Sequence, residues 1–362
     1  MPESPTARPI QTSIVSPVAD FLMVGGLTFV IFAISYLPIW DTVPKEFLRT
    51  AGFYLTFVLN FPHFIHGYQL LYEDYGRKIS DIKAGMASRI RYIIAGIVSP
   101  LALIAFLAYG AMQPTVQIIG YAANAMLFLV GWHYVKQGYG ILMMLSVRKK
   151  VFFDNIEKRI LLANAYIVWL FSWLHLNFSI DRDVFHDIPV TMLDVPPQIM
   201  GAANAALIVW TIGIAVFLVK KFDRLKTLSF NGFTAYACAL YGWVLFAFIN
   251  PLALIFIPAL HSLQYLLFVW KLAYEKTRES VGGAARSVFK DMLPFLAVGF
   301  TGGLVFFYLL PTNLDKMELY DVSIFGPQLF MFMFMIFLNV HHYFIDFAIW
   351  RRENPELQYL FR

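Results

Sequence analysis

Apolar runs of about twenty residues, each closed by a short polar or basic stretch, follow one another along almost all of the 362 residues. A helix needs about 20 such residues to cross roughly 30 Å of hydrocarbon. Runs of that length lie near 17–40, 49–72, 89–111, 116–147, 160–178, 198–219, 231–249, 251–274, 291–311 and 324–350. The pattern predicts an all-α, polytopic integral membrane protein with about ten transmembrane helices. Two connections, QPT at 113–115 and NP at 250–251, predict tight hairpins. The expected organisation is a polar N-terminal tail over 1–16, one transmembrane helical domain over 17–350, and a C-terminal tail over 351–362. The opening MPESPTARPIQTS is polar and runs straight into a full-length apolar stretch, so the first helix is expected to be retained and not cleaved as a leader.

Charge adds a direction to this pattern. Lysine and arginine accumulate in cytoplasmic loops, and here they alternate loop by loop. With the N-terminus placed inside, 23 of the 28 fall in inner segments, and only Lys45, Arg49, Arg182 and Lys316 fall outside. Lys136 lies within a span. The alternation predicts that both termini are cytoplasmic, in what is expected to be a bacterial inner membrane. The net charge of +5 arises from these short blocks, so no nucleic acid is expected as a partner; membrane lipids are.

Composition agrees: 59% of residues are hydrophobic and 14% are charged, against about 25% charged in soluble domains. The single cysteine, Cys238, lies in an apolar run, which leaves no intrachain disulfide and no cysteine metal cluster. Any metal site must therefore use nitrogen and oxygen.

Histidine is the informative residue. His175 and His186 fall at the outer end of the fifth predicted helix and in the loop after it, where solvated imidazole needs no explanation. His63, His66, His133, His261, His341 and His342 lie on the second, fourth, eighth and tenth helices, all running from outside to inside. The next inner cation follows after 11 residues from His66, 15 from His133, 10 from His261 and 9 from His342. At about 1.5 Å per residue, these positions share one layer within roughly 9 Å.

Local spacing refines the layer. His63 and His66, in FPHFIHGY, are three apart and are expected to share a face. Pro62 leaves the carbonyl of Val58 without its helical donor, which kinks the helix and turns that face inward. Gln137 follows His133 by four residues, Gln264 follows His261 by three, and Asp346 follows His342 by four. Each is expected to orient an imidazole or to add an oxygen ligand. His341 and His342 point about 100° apart, so one of the two is expected at the ion. Tyr134, Tyr139 and Tyr343 lie close to the histidines.

A lone histidine in a membrane helix commonly bonds to a neighbouring helix. Six at one depth favour a metal-binding cluster, because unpaired imidazole in hydrocarbon is costly. Haem ligation, a proton relay and a structural network remain alternatives. Lys136 is expected to form an ion pair with Asp346 or Glu73, or else to anchor an anionic substrate group; Asp20 is another possible partner. Iron, zinc and copper suit such ligands. Zinc hydrolysis is less favoured because no HExxH occurs.

Histidines spread over the cytoplasmic halves of several membrane helices resemble the arrangement in membrane non-haem iron oxygenases, the fatty-acid desaturases and hydroxylases and the bacterial β-carotene cleavage enzymes. The resemblance rests on His63, His66, His133, His261 and His342. The desaturase boxes HxxxH and HxxHH are absent, and only an HxxH and an isolated HH occur; a four-histidine site is the closer analogy. The resemblance implies non-haem iron and an oxidoreductase acting on a lipid or isoprenoid. A proton- or metal-coupled transporter and a non-catalytic subunit with membrane-protein partners are the rival readings.

Overall fold

The computed structural model describes residues 13–82, 85–179, 183–185, 188–221, 229–244, 256–281 and 285–361. Its principal helices are α1 (Pro17–Ser35), α2 (45–72), α3 (Met86–Ala111), α4 (Gln117–Arg148), α5 (Asn155–Ser179), α6 (Pro197–Lys220), α7 (230–244), α8 (Ile257–Ser280), α9 (285–315) and α10 (Leu329–Ile349). Among the described residues, seven are long and apolar enough to cross a membrane: α1, α3, α4, α5, α6, α9 and α10. This is the build of an integral membrane protein. The NP turn at 250–251 lies outside the described residues, as does His186.

Among the described residues, the strands form a ribbon between α5 and α6, in which β1 (Asp183–Phe185) pairs antiparallel with β2 (Ile188–Val190). Polar side chains pin the segment after it to the bundle. Asn124 on α4 donates to the side-chain oxygen of Asn177 at 2.6 Å and to the carbonyl of Thr191 at 3.0 Å, and Asn177 accepts from the amide of Leu193 at 2.7 Å.

Proline shapes three of the helices in the same way. Each of the π-turns Thr56–Asn60, Ile94–Val98 and Val305–Leu309 ends two residues before a proline, Pro62, Pro100 or Pro311. Proline has no amide hydrogen, so the residue before it shifts its own bond back by one carbonyl. At the second turn, Ser99 donates to Ile94 in place of Ala95. The carbonyl of Ala95 then loses its α-helical donor, and Pro100 cannot replace it. A buried carbonyl without a donor is costly; this one accepts from the Ser99 hydroxyl at 3.2 Å and from a histidine described below. At Pro62 the π-turn absorbs the proline, and α2 continues as helix through Tyr72.

Helix α4 runs through the centre of the bundle, against α5, α7 and α10, and α2 packs against α9 and α10. At its end, the buried guanidinium of Arg148 donates to the carbonyl of Leu360 and, at 2.9 Å, to the carbonyl of Ser13. The two ends of the described chain therefore meet at one side chain. Hydrogen bonds from a charged donor contribute about 1.5–3 kcal/mol each. Arg148→Met is expected to release the C-terminal segment and to speed its removal by carboxypeptidase severalfold; unchanged digestion would show that the segment is held elsewhere.

Candidate metal centre

Four helices each bring one imidazole to a common point: His63 from α2, His133 from α4, His261 from α8 and His342 from α10. The ring of His63 lies 4.4 Å from that of His342 and 5.2 Å from that of His261, and the ring of His133 lies 4.8 Å from His261 and 5.0 Å from His342. His63, His133 and His342 each place a ring nitrogen within 4.8 Å of the other two. These three histidines can hold a metal ion. His261 adjoins them through His133, with the two Nε2 atoms 3.0 Å apart. Two nitrogens bound to one ion at about 2.0–2.1 Å, with bonds roughly 90–110° apart, are themselves separated by about 2.8–3.4 Å. The spacing thus suits two ligands of one ion, and it equally suits an N–H···N hydrogen bond.

Satisfaction of the ring nitrogens separates this group from the other buried histidines. His63 Nε2, His261 Nδ1 and both nitrogens of His342 are buried without a hydrogen-bond partner. Buried polar atoms are rarely left so, because each forfeits its hydration without compensation. One ion would supply a partner to His63 Nε2 and to one of the two nitrogens of His342.

Asp346 closes one side of the cluster. Its Oδ2 lies 3.5 Å from His342 Nε2 and 3.6 Å from His133 Nδ1, and its Oδ1 accepts from the Tyr265 hydroxyl at 3.1 Å. Tyr265 sets its ring edge-on to His63, with centroids 4.5 Å apart. Ser262 Oγ lies 3.3 Å from His63 Nδ1 and donates to Asn60 Oδ1 at 2.8 Å, or alternatively to the Pro258 carbonyl at 2.7 Å. Tyr134 stacks on His261, with ring centroids 4.0 Å apart. Close approach of α2 requires Gly67, where a Cβ would stand 3.2 Å from His342 Nδ1 and 3.3 Å from the Tyr265 oxygen. Tyr265, Ser262 and Asn60 are site residues that the histidine spacing does not reveal. Their only sequence signal is position: Tyr265 lies one turn after His261, and Asn60 lies one turn before His63.

His66 and His341 are placed elsewhere. In a hydrogen-bond pattern that assigns a neutral ring, His66 Nδ1 donates to Gln69 Oε1 at 2.7 Å and Nε2 accepts from the Trp270 indole at 3.3 Å, while the ring stacks on Phe295 of α9 at 4.3 Å. His341 Nε2 donates to the carbonyl of Ala95 at 2.7 Å, and its Nδ1 accepts from the Tyr68 hydroxyl at 2.7 Å. His341, together with the Ser99 hydroxyl at 3.2 Å, therefore replaces the donor that Pro100 removed. Both imidazoles have spent both nitrogens on protein partners, so the shared face expected for His63 and His66 does not form.

The expected roles of three polar residues are also revised. Gln137 does not touch an imidazole; it donates to the backbone carbonyl of His261 at 3.1 Å and to Gln264 Oε1 at 3.0 Å. Gln264 in turn donates to the carbonyl of Val24, so the two amides tie α4, α8 and the first helix together. Lys136 forms an ion pair with neither expected partner. Glu73 holds Lys276 at 2.6 Å, Asp346 is engaged as above, and Asp20 accepts from the amides of Ile14 and Val15. The Lys136 ammonium instead rests over the rings of Trp132 and Tyr139, 5.5 and 5.4 Å from their centroids.

A cavity of about 910 Å³ adjoins the cluster, with His133, Tyr265 and Asp346 in its wall. Trp132, Tyr139, Met143, Tyr343 and Phe347 make much of its lining apolar, and residues of the C-terminal segment close it from the side. No protein-family model, curated protein or solved structure matches the chain.

Proposed function

We propose that the chain is a membrane oxidoreductase whose His63, His133, His261 and His342 hold non-haem iron, and that it acts on a lipid or isoprenoid entering the adjoining cavity. The observation that carries this reading is the set of buried imidazoles converging from four helices beside a carboxylate, with unpartnered ring nitrogens on His63, His261 and His342. Neutral imidazole with one carboxylate and no thiolate suits iron or zinc. An apolar cavity favours iron, which when bound would supply oxidation of a hydrocarbon chain by dioxygen. Within this reading Asp346 orients His342 and His133 and balances cationic charge, Tyr265 holds the carboxylate in place, and the apolar wall positions the chain and keeps water out.

The same reading has ten crossings with both chain ends on the cytoplasmic side. The meeting of Ser13 and Leu360 at Arg148 supports an even number of crossings between them. Helix α2 is about 42 Å long at about 1.5 Å per residue, enough to cross. Its mean hydropathy is lowered by the polar residues of the site, and the same holds for α8.

The His133–His261 contact at 3.0 Å also fits a second reading, an interhelical hydrogen-bond network without metal. Elemental analysis of the protein purified in mild detergent, with its visible spectrum, separates the two. About one iron per chain without a Soret band is expected. A Soret band would transfer the histidines to haem, and absence of metal from folded protein would leave the structural network.

A further inference from the structure

The cavity beside the cluster carries a charge imbalance that neither the metal site nor the topology explains. Lys136, Lys158, Arg351 and Arg352 line it, and the one carboxylate in its wall, Asp346, faces the histidines and Tyr265. Among the described residues, none of the four cations has an acidic partner. Elsewhere at the same end of the bundle, cations are paired: Lys276 holds Glu73 at 2.6 Å, Lys271 holds Glu275 at 2.7 Å, and Lys78 holds Glu356 at 3.4 Å.

Accumulation of cations at the inner membrane surface accounts for Lys158, Arg351 and Arg352. It does not account for Lys136, which lies 12 residues before Arg148 on α4, about 18 Å deeper along the helix. A lysine within a span is costly and is retained where a cavity or a partner offsets the cost. Arg351 lines the same cavity. The Arg351 guanidinium lies over the Phe347 ring at 4.1 Å and uses Nε on the Phe347 carbonyl at 3.0 Å. Two uncompensated cations therefore face one apolar space, and an anion between them would relieve both.

We infer that this cavity binds a long-chain amphiphile with an anionic oxygen head group, a carboxylate or a phosphate. The head is held by Lys136 and Arg351, with Lys158 and Arg352 adding to the positive field, and the chain lies along the aromatic and methionine wall beside His133. The inference rests on the functional reading above in taking this cavity as the substrate's site, and it names the substrate class. A neutral hydrocarbon would fill the apolar wall but leave the cations unmatched.

The test uses the full chain in a neutral maltoside detergent, with native mass spectrometry measuring competition among sodium oleate, dioleoylphosphatidylglycerol, oleyl alcohol and dioleoylphosphatidylcholine. At least one anionic probe is expected to bind about tenfold or more tightly than oleyl alcohol, the scale of one charge-assisted contact. Oleate without phosphatidylglycerol assigns the head to a free carboxylate, and the reverse assigns it to a phospholipid. Lys136→Gln and Arg351→Gln are each expected to reduce the preference severalfold, and the distant Lys316→Gln is expected to leave it intact. Oleyl alcohol bound as tightly as oleate by the wild-type protein, or an equal loss in Lys316→Gln, would overturn the inference. The preference is expected to persist in a His63→Ala, His342→Ala double variant, so loss of the metal reading and loss of this one register separately.

Discussion

His342→Ala is expected to strip the bound metal, reducing it from about one ion per chain to near none after gel filtration. His341→Ala, one residue away, is expected to keep the metal and lose stability instead. The reasoning runs through hydrogen-bond partners. His342 has no hydrogen-bond partner at either nitrogen and faces His63, His133 and, at 3.5 Å, Asp346. His341 holds the carbonyl of Ala95 and the hydroxyl of Tyr68. Removing it takes away both bonds, at about 0.5–1.5 kcal/mol each, and leaves the Ala95 carbonyl with only the longer 3.2 Å bond from the Ser99 hydroxyl, since residue 100 is proline and offers no amide. Metal content by plasma mass spectrometry, with melting temperature in detergent, reads both effects. If His341→Ala lost the metal and His342→Ala kept it, the assignment of the site would be reversed.

Asp346→Asn carries the second large effect. The substitution keeps the side-chain shape and an oxygen to accept from Tyr265, but removes the charge beside His133 and His342. Changing groups that orient metal ligands typically costs 10–100-fold in metal affinity, and a loss in about that range is expected from competition with a chelator of known affinity. Tyr265→Phe is expected to lose less, since the carboxylate and its charge remain. Undiminished affinity in Asp346→Asn would mean that the carboxylate serves only to anchor Tyr265.

How much of this was legible in the sequence differs from residue to residue. The alternation of apolar runs and short basic loops anticipates a helical membrane protein, because hydrocarbon tolerates only backbone that bonds to itself. Seven of the helices meet the length and composition of a membrane span. Among the described residues three segments do not, and two of them, α2 and α8, carry His63 and His261. Polar residues of the site lower the hydropathy of the helices that carry them, whereas α4 and α10 are apolar enough elsewhere to meet the measure. The ribbon at 183–190 left no such signal, since three-residue strands are too short for a period to show.

Counting residues to the next cation could bring His63, His133, His261 and His342 to one depth, because rise per residue is a property of every α-helix. Depth says nothing of azimuth. Whether a ring turns toward the centre or toward a neighbour is set by what the facing helix offers. His66 was drawn away by Phe295 and Trp270 on other helices, helped by the roughly 60° that three residues leave between side chains. His341 was claimed by a carbonyl that a proline on α3 had orphaned, some 240 residues earlier in the chain.

Lys136 shows the same division. The sequence placed a cation within a span, but not the engagement of Glu73 by Lys276 and of Asp346 by Tyr265 and the histidines, which left that cation to the cavity. The sequence by itself determined the membrane class, the run of helices and a common level for the histidines, since these follow from hydrophobicity and helical rise, both local quantities. Only the tertiary structure decided which imidazoles converge, which are spent on backbone and tyrosine, and which charges stay unpaired. Those outcomes depend on competition among partners distant in the chain, and a hydrogen bond or an ion pair is won by whichever partner packing brings within about 3 Å.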